Sequence, residues 1–164
     1  MVALGLFVGR GSTPVDDWFH QHGRDVRVLT LLVSPWMLAS VVVATIGFAL
    51  YRRWHRLAAA AALCPLLAMA LARVLKPLFG RVRGPDFAYP SGHAATLVAV
   101  MGMVVLAAGA AVWVVLLVVA YCVLGMVGVG ATFHYFTDTV GGLLLGTSVV
   151  CVAALVLGRA PHRT

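Results

Sequence analysis

The chain has 164 residues, of which 62% are hydrophobic, and its mean hydropathy is +1.01. The surface of a water-soluble domain of this size cannot accommodate so apolar a composition, so we expect a single-domain integral membrane protein. Eleven arginines and one lysine against five aspartates give a net charge of +7. The arginines flank apolar segments and form no continuous basic stripe, which argues against nucleic acid as a partner.

The first 28 residues precede the long apolar segments. Residues 1–9 are apolar but too short to cross a bilayer, so we expect either part of a membrane span or an interfacial anchor. Residues 10–28 combine aspartates, histidines and aromatic side chains. This composition is typical of a short helix that lies on the membrane surface.

Five apolar segments follow, and each predicts a membrane-spanning helix, which needs about 20 residues. They cover residues 29–51, 57–79, 93–109, 112–131 and 139–158. The third and fourth form one run that is too long for a single crossing, so we place a break within residues 107–111. The predicted fold is an all-α polytopic transmembrane helix bundle over residues 29–158.

The placement of the arginines predicts how this bundle is oriented. They cluster at residues 52–56 and in the tail at 159–164, and arginine-rich loops face the cytoplasm and its anionic lipid. Alternate crossings then place residues 80–92 and 132–138 together on the opposite side. We therefore expect a multi-pass protein of the plasma membrane whose two polar gaps share the extracytoplasmic face.

The three cysteines, Cys64, Cys122 and Cys151, lie far apart inside apolar segments. Neither a disulfide framework nor a metal site is indicated, and we interpret them as small buried hydrophobic residues. No cofactor is expected.

Three cations mark the beginning of the first polar gap: Lys76, Arg81 and Arg83. Ammonium and guanidinium groups donate to phosphate oxygens, so this cluster predicts an anion site. Binding of lipid headgroups, or long side chains that extend to the membrane surface, would explain the same pattern.

The motif Pro90-Ser91-Gly92-His93 ends the first polar gap and opens an apolar segment. Proline and serine favour the start of a helix, and glycine lets the backbone approach a ligand closely. Because a helix N-terminus presents unpaired N–H groups, Ser91 and Gly92 are candidates to hold phosphate. The alternative is an ordinary helix cap followed by a surface histidine.

His134 and Asp138 stand four residues apart in the second polar gap. This spacing predicts one face of a helix, where the carboxylate accepts from one ring nitrogen and leaves the other free. A carboxylate that caps a helix start is the alternative. Together with His93, the pair provides the two histidines that phosphate-ester cleavage needs, one to attack phosphorus and one to protonate the leaving group.

These motifs resemble the type 2 phosphatidic acid phosphatase family. Lys76 and Arg83 match its first motif with a displaced proline, Pro90–His93 match the second completely, and His134 and Asp138 match the third. The resemblance covers residues 76–138 by motif and the remainder by the arrangement of spans. Where the family has Ser-Arg, this chain has Val127-Gly128, and its loop between the first two motifs is short.

The resemblance implies a six-helix fold, of which this chain would supply five helices, and a metal-independent mechanism. His134, oriented by Asp138, would attack phosphorus to form a phosphohistidine, and His93 would protonate the departing oxygen. Lys76, Arg83 and the N–H groups near residues 91–92 would hold the phosphate oxygens. We also expect Arg81 to bind phosphate, reaching the space that the missing arginine at position 128 leaves.

The expected function is hydrolysis of a lipid phosphate or pyrophosphate, foremost a polyprenyl phosphate of bacterial cell-envelope synthesis. Phosphatidylglycerol phosphate, phosphatidic acid and a polyprenyl-linked phosphosugar are alternative substrates. An alternative of another class is a non-catalytic protein that binds or transports a lipid phosphate on the same scaffold.

Overall fold

The computed structural model describes residues 1–9, 11–23, 25–83 and 86–158. The predicted cytoplasmic tail at 159–164 and the displaced proline, Pro85, lie outside the described residues.

The described residues form seven α-helices, one 3-10 helix and a short hairpin. The helices are α1 Val2–Val8, α2 Pro14–His22, the 3-10 helix Arg27–Val33, α3 Pro35–Tyr51, α4 His55–Phe79, α5 Gly92–Ala108, α6 Val112–Thr132 and α7 Phe136–Val156. Strands β1 Val82–Arg83 and β2 Asp86–Phe87 pair antiparallel between α4 and α5. The predicted all-α class is therefore confirmed apart from this hairpin.

Within the part of the chain that the structure describes, four helical segments are long and apolar enough to cross a membrane: Arg27–Tyr51, α4, α6 and α7. Helix α5 is equally apolar but has 17 residues, which is about 26 Å at the rise of an α-helix and shorter than a typical hydrocarbon core. The structure is thus a helical bundle with four candidate membrane spans, against five predicted.

The break between α5 and α6 falls at residues 109–111, within the predicted range. Gly109 has a φ of 88°, the left-handed conformation in which glycine commonly ends a helix. The long apolar run therefore turns back at this point.

Helices α5 and α7 pack closely because α7 carries glycine where the two meet. A Cβ atom at Gly142 would overlap the Ser91 carbonyl oxygen, and one at Gly146 would lie 2.6 Å from the Ala95 carbonyl oxygen. From the sequence alone, these glycines could serve helix packing within one chain or between two chains. In the structure they pack α7 against α5 of the same chain. This contact fixes the start of α5 against the start of α7.

Helix α2 lies across the connection between α6 and α7. Its start is capped by Thr13, whose hydroxyl accepts from the Asp16 N–H. The Phe19 ring stacks on that of Phe136 with centroids 4.0 Å apart. A helix is therefore present within residues 10–28, and one side of it packs against the bundle; its location on the membrane surface stays a prediction.

Candidate active site

The two motif histidines meet at one end of the bundle. His93 is the second residue of α5, and His134 lies in the connection between α6 and α7. Their ring centroids are 5.8 Å apart, and the His93 ring stacks on Phe133 at 5.6 Å. His93 is exposed, whereas only 8% of His134 is exposed. Two imidazoles, one open and one enclosed, thus flank a single space.

That space is a cavity of about 450 Å³ with a cationic lining. Its charged and titratable residues are Arg73, Lys76, Arg83, Asp86, His93 and His134. Three cations against one carboxylate make it electropositive, and an anionic group such as phosphate suits such a site.

His134 is held in its neutral form. Burial, together with the nearby charges of Lys76, His93 and Arg83, lowers its pKa to about 3, against the opposing effect of a hydrogen bond with the Ala88 backbone. Its Nδ1 atom is buried and has no hydrogen-bond partner among the described residues. A neutral imidazole retains a lone pair, which a nucleophile requires.

The structure corrects the expectation that His134 and Asp138 share a helix face. Helix α7 begins at Phe136, and the His134 N–H donates to the Val129 carbonyl at the end of α6. His134 Nδ1 is 3.9 Å from Asp138 Oδ2, which is beyond hydrogen-bond distance. The carboxylate therefore faces the ring without bonding to it.

Asp138 is fully buried and already has two other partners. Its Oδ1 accepts from Arg81 Nη1 at 2.8 Å, and its Oδ2 accepts from the Tyr135 N–H at 3.1 Å. The second bond satisfies a free N–H at the start of α7, so the capping alternative for this carboxylate also holds.

Arg81 lies outside the cavity, which contradicts its expected role in phosphate binding. It is fully buried, and all five of its N–H donors are used within the protein. They reach Asp16 Oδ2 at 2.7 Å, Thr137 Oγ1 at 2.6 Å, Asp138 Oδ1 at 2.8 Å and the Gly11 carbonyl. No donor remains for a ligand.

Asp16 forms the other side of this buried cluster and was missed by sequence reasoning. Burial alone would raise its pKa, but hydrogen bonds from Thr137, Thr13 and Arg81 outweigh burial and hold the pKa below its ordinary value. Its Oδ1 accepts from the Thr137 N–H at 2.9 Å. The cluster therefore ties α2 to the start of α7, directly behind His134.

Gly128 does not line the cavity either. A Cβ atom at Gly128 would lie 2.7 Å from the backbone of Leu29 and Thr30, because the 3-10 helix packs directly on it. The expectation that Arg81 reaches a space left there is therefore wrong. The third cation of the cavity is Arg73, which lies one helical turn before Lys76; this i, i+3 spacing was the available signal.

Ser91 and Gly92 contribute less directly than expected. Ser91 caps α5 by accepting from the Ala94 N–H, and its own N–H donates to the Asp138 carbonyl at 3.0 Å. The Ser91 N–H, expected to hold a phosphate oxygen, is therefore used to join α5 to α7. Gly92 is half-buried beside His93.

Arg83 keeps its place at the cavity through two neighbours. Its guanidinium lies over the Tyr135 ring at 5.1 Å, and its Nη2 is 3.3 Å from His20 Nδ1. Among the described residues, no group of three or more His, Cys, Asp or Glu side chains could hold a metal ion.

Comparison of the chain with protein-family models, curated proteins and solved structures finds no match.

Proposed function

We propose that the protein is a metal-independent phosphatase of lipid phosphates or pyrophosphates that acts through a phosphohistidine at His134. One observation carries the proposal: a buried, neutral imidazole and a second imidazole line the same electropositive cavity, which has room for a phosphate group. The motif resemblance to type 2 phosphatidic acid phosphatases supports the same chemistry.

In the first step, a phosphate ester binds with its oxygens on Lys76, Arg83 and Arg73, which stabilise the charge that develops on them. The ring nitrogen of His134 that does not face Asp138 attacks phosphorus. The phosphorus–oxygen bond to the lipid breaks as the new phosphorus–nitrogen bond forms. Burial and the charge of Lys76 lower the pKa of His93 in the empty site, so His93 gains its proton as the anionic phosphate binds and then donates it to the departing lipid oxygen.

In the second step, water cleaves the phosphohistidine. His93, now neutral, takes one proton from the water as the water oxygen attacks phosphorus. The phosphorus–nitrogen bond breaks, its electron pair returns to His134, and inorganic phosphate leaves. Both rings recover their starting protonation, so the cycle needs no further reactant.

Asp138 is placed to stabilise the charge that develops on His134. When phosphorus bonds to one ring nitrogen the ring becomes cationic, and the carboxylate 3.9 Å from Nδ1 is placed to stabilise that charge. Catalytic hydrogen bonds are often long before substrate binds. We expect this distance to shorten in the complex, while Arg81 holds the carboxylate in place.

The position of the cavity supports a lipid substrate at the extracytoplasmic face of the plasma membrane. Lys76 lies twenty residues along α4 from Arg56, which is about 30 Å, the thickness of a hydrocarbon core. The cavity and the arginine-rich end therefore fit opposite membrane surfaces, with the arginines cytoplasmic. The sequence favours a polyprenyl phosphate, and the other lipid phosphates named above share its reacting group.

The experiment is phosphate release from purified protein in lipid nanodiscs, measured on a panel of lipid phosphates. We expect His134→Ala to lose at least about a thousandfold in rate, as nucleophile removal does elsewhere. His55→Ala, at the opposite end of α4, is the matched control and should retain full activity. If the wild-type protein retained lipid but released no phosphate, it would be a lipid-binding protein and not a phosphatase.

A further inference from the structure

A second cavity of about 450 Å³ runs between α3, α4 and α5, and its lining is almost entirely apolar. Residues that line it include Leu38, Val42, Leu66, Met69, His93 and Thr96. His93 lines both this groove, which we name the α3–α5 groove, and the cationic cavity. A ligand can therefore place a phosphate on one side of the His93 ring and an apolar chain on the other.

Thr96 gives this groove one polar feature. It lies three residues after His93 on α5, so both side chains occupy one helix face. Thr96 is only 8% exposed, and its hydroxyl has no hydrogen-bond partner among the described residues. An unsatisfied buried hydroxyl is costly, and a ligand oxygen that accepts from it would recover that cost.

We propose that the α3–α5 groove binds the hydrocarbon chain of the substrate and that Thr96 donates to an oxygen between this chain and the scissile phosphate. The proposal rests on the proposed function and narrows its substrate class. Ester oxygens of a glycerol lipid or ring oxygens of a lipid-linked sugar provide such an acceptor. A plain alkyl or polyprenyl phosphate presents only hydrocarbon to Thr96.

A larger apolar cavity provides an internal control. It measures about 600 Å³, lies between α4 and α7, and is lined by residues that include Leu67, Leu71, Val149 and Val152. Among the described residues it shares none with the cationic cavity. His93 lines the α3–α5 groove and not this cavity, so a chain anchored by its phosphate beside His93 enters the groove first.

The first test locates the chain without requiring turnover. His134→Ala protein in nanodiscs is irradiated with hexadecyl phosphate that carries a diazirine midway along its chain, and the adducts are mapped by mass spectrometry. We expect adducts on α3, around Leu38 and Val42. Met69→Trp should suppress them, whereas Leu67→Trp should not.

The outcomes separate this inference from the proposed function. Adducts that concentrate on α7, or that resist Met69→Trp, would overturn the groove assignment whatever the phosphatase activity. Adducts on α3 from a protein whose wild type releases no phosphate would support the groove and reject the phosphatase.

The second test addresses Thr96 by competition for the same labelling. Unlabelled 1-palmitoylglycerol 3-phosphate and hexadecyl phosphate are compared as competitors in His134→Ala protein with and without Thr96→Val. We expect Thr96→Val to weaken the glycerol lipid about fivefold, the effect of one hydrogen bond, and to leave the alkyl phosphate unchanged. Thr96→Ser should restore the preference. Equal effects on both competitors, or none on either, would overturn the role of Thr96.

Discussion

Arg81 and Arg83 stand two residues apart and serve different purposes. Arg83 lines the cationic cavity, whereas Arg81 is enclosed by the carboxylates of Asp16 and Asp138. The sequence predicts two arginines near an anion site but does not separate their roles. That separation depends on Asp16, which lies 65 residues earlier and has no local motif that links it to Arg81.

Replacing Arg81 should destabilise the fold. Arg81→Gln leaves two buried carboxylates without their shared cation, and breaking a buried pair in this way costs about 3–5 kcal/mol. Thermal unfolding in detergent should show a large drop in Tm. Arg83→Gln is the matched control, with phosphate release lost and Tm nearly unchanged. Equal Tm values for the two variants would contradict the division of roles.

The enclosed His134 should make stability depend on pH. Its pKa is about 3 in the folded protein and about 6.5 when exposed, so the unfolded chain gains a proton as pH falls through 6.5 and the folded chain does not. The contribution of His134 to the free energy of unfolding is therefore fully present above pH 6.5 and is lost progressively as the pH falls towards 3. Between pH 6.5 and 5 the loss is about 2 kcal/mol.

The measurement compares Tm at pH 7.5 and pH 5 for wild type and His134→Asn. Asparagine does not titrate, so the variant should lose less stability over this interval. The same pH dependence in both proteins would show that His134 gains its proton at the same pH in the folded and the unfolded state, which would contradict the lowered pKa.

At the scale of elements, the contact between α5 and α7 positions the chemistry. It brings Ser91 to the Asp138 carbonyl and so places His93, at the start of α5, beside His134, which lies just before α7. Hydropathy predicts both helices, but the close approach depends on glycines whose partners only the structure identifies. At position 128 the motif comparison is misleading. It predicts an arginine there, but the 3-10 helix packs on this position and leaves no room for any side chain.

Gly142→Ala tests this contact. The added methyl group would overlap the Ser91 carbonyl oxygen, so α7 must shift from α5. We expect a cost of about 1–3 kcal/mol and a fall in phosphate release as the histidines separate. Gly47→Ala, on a face of α3 with nothing within 4 Å, is the control and should not destabilise. Similar losses in both variants would count against the contact.

At the scale of the whole molecule, composition and apolar length predict a membrane helix bundle because both are properties of the chain alone. The meeting of His93 and His134 was predicted from alternate crossings, and the rings lie 5.8 Å apart. The α2 connection to the site was not predicted, since a surface helix and a helix that carries a buried carboxylate have the same composition. Arg73 was overlooked although its spacing from Lys76 indicated a shared face.

Membrane orientation is a prediction at this same scale. In a variant without the native cysteines, a single cysteine at Asp86 should react with an impermeant maleimide added to intact cells. One at Arg53, at the arginine-rich end, should react only after the membrane is opened. The reverse pattern would place the cavity on the cytoplasmic side.

The most direct measurement is detection of the covalent intermediate. With a ³²P-labelled aryl phosphate, whose leaving group needs little protonation, His93→Ala protein should form the phosphohistidine but hydrolyse it slowly. Rapid quenching and peptide mapping should then find an acid-labile label on residue 134. A label on another residue, or phosphate release without any label on His134 in this variant, would contradict the account.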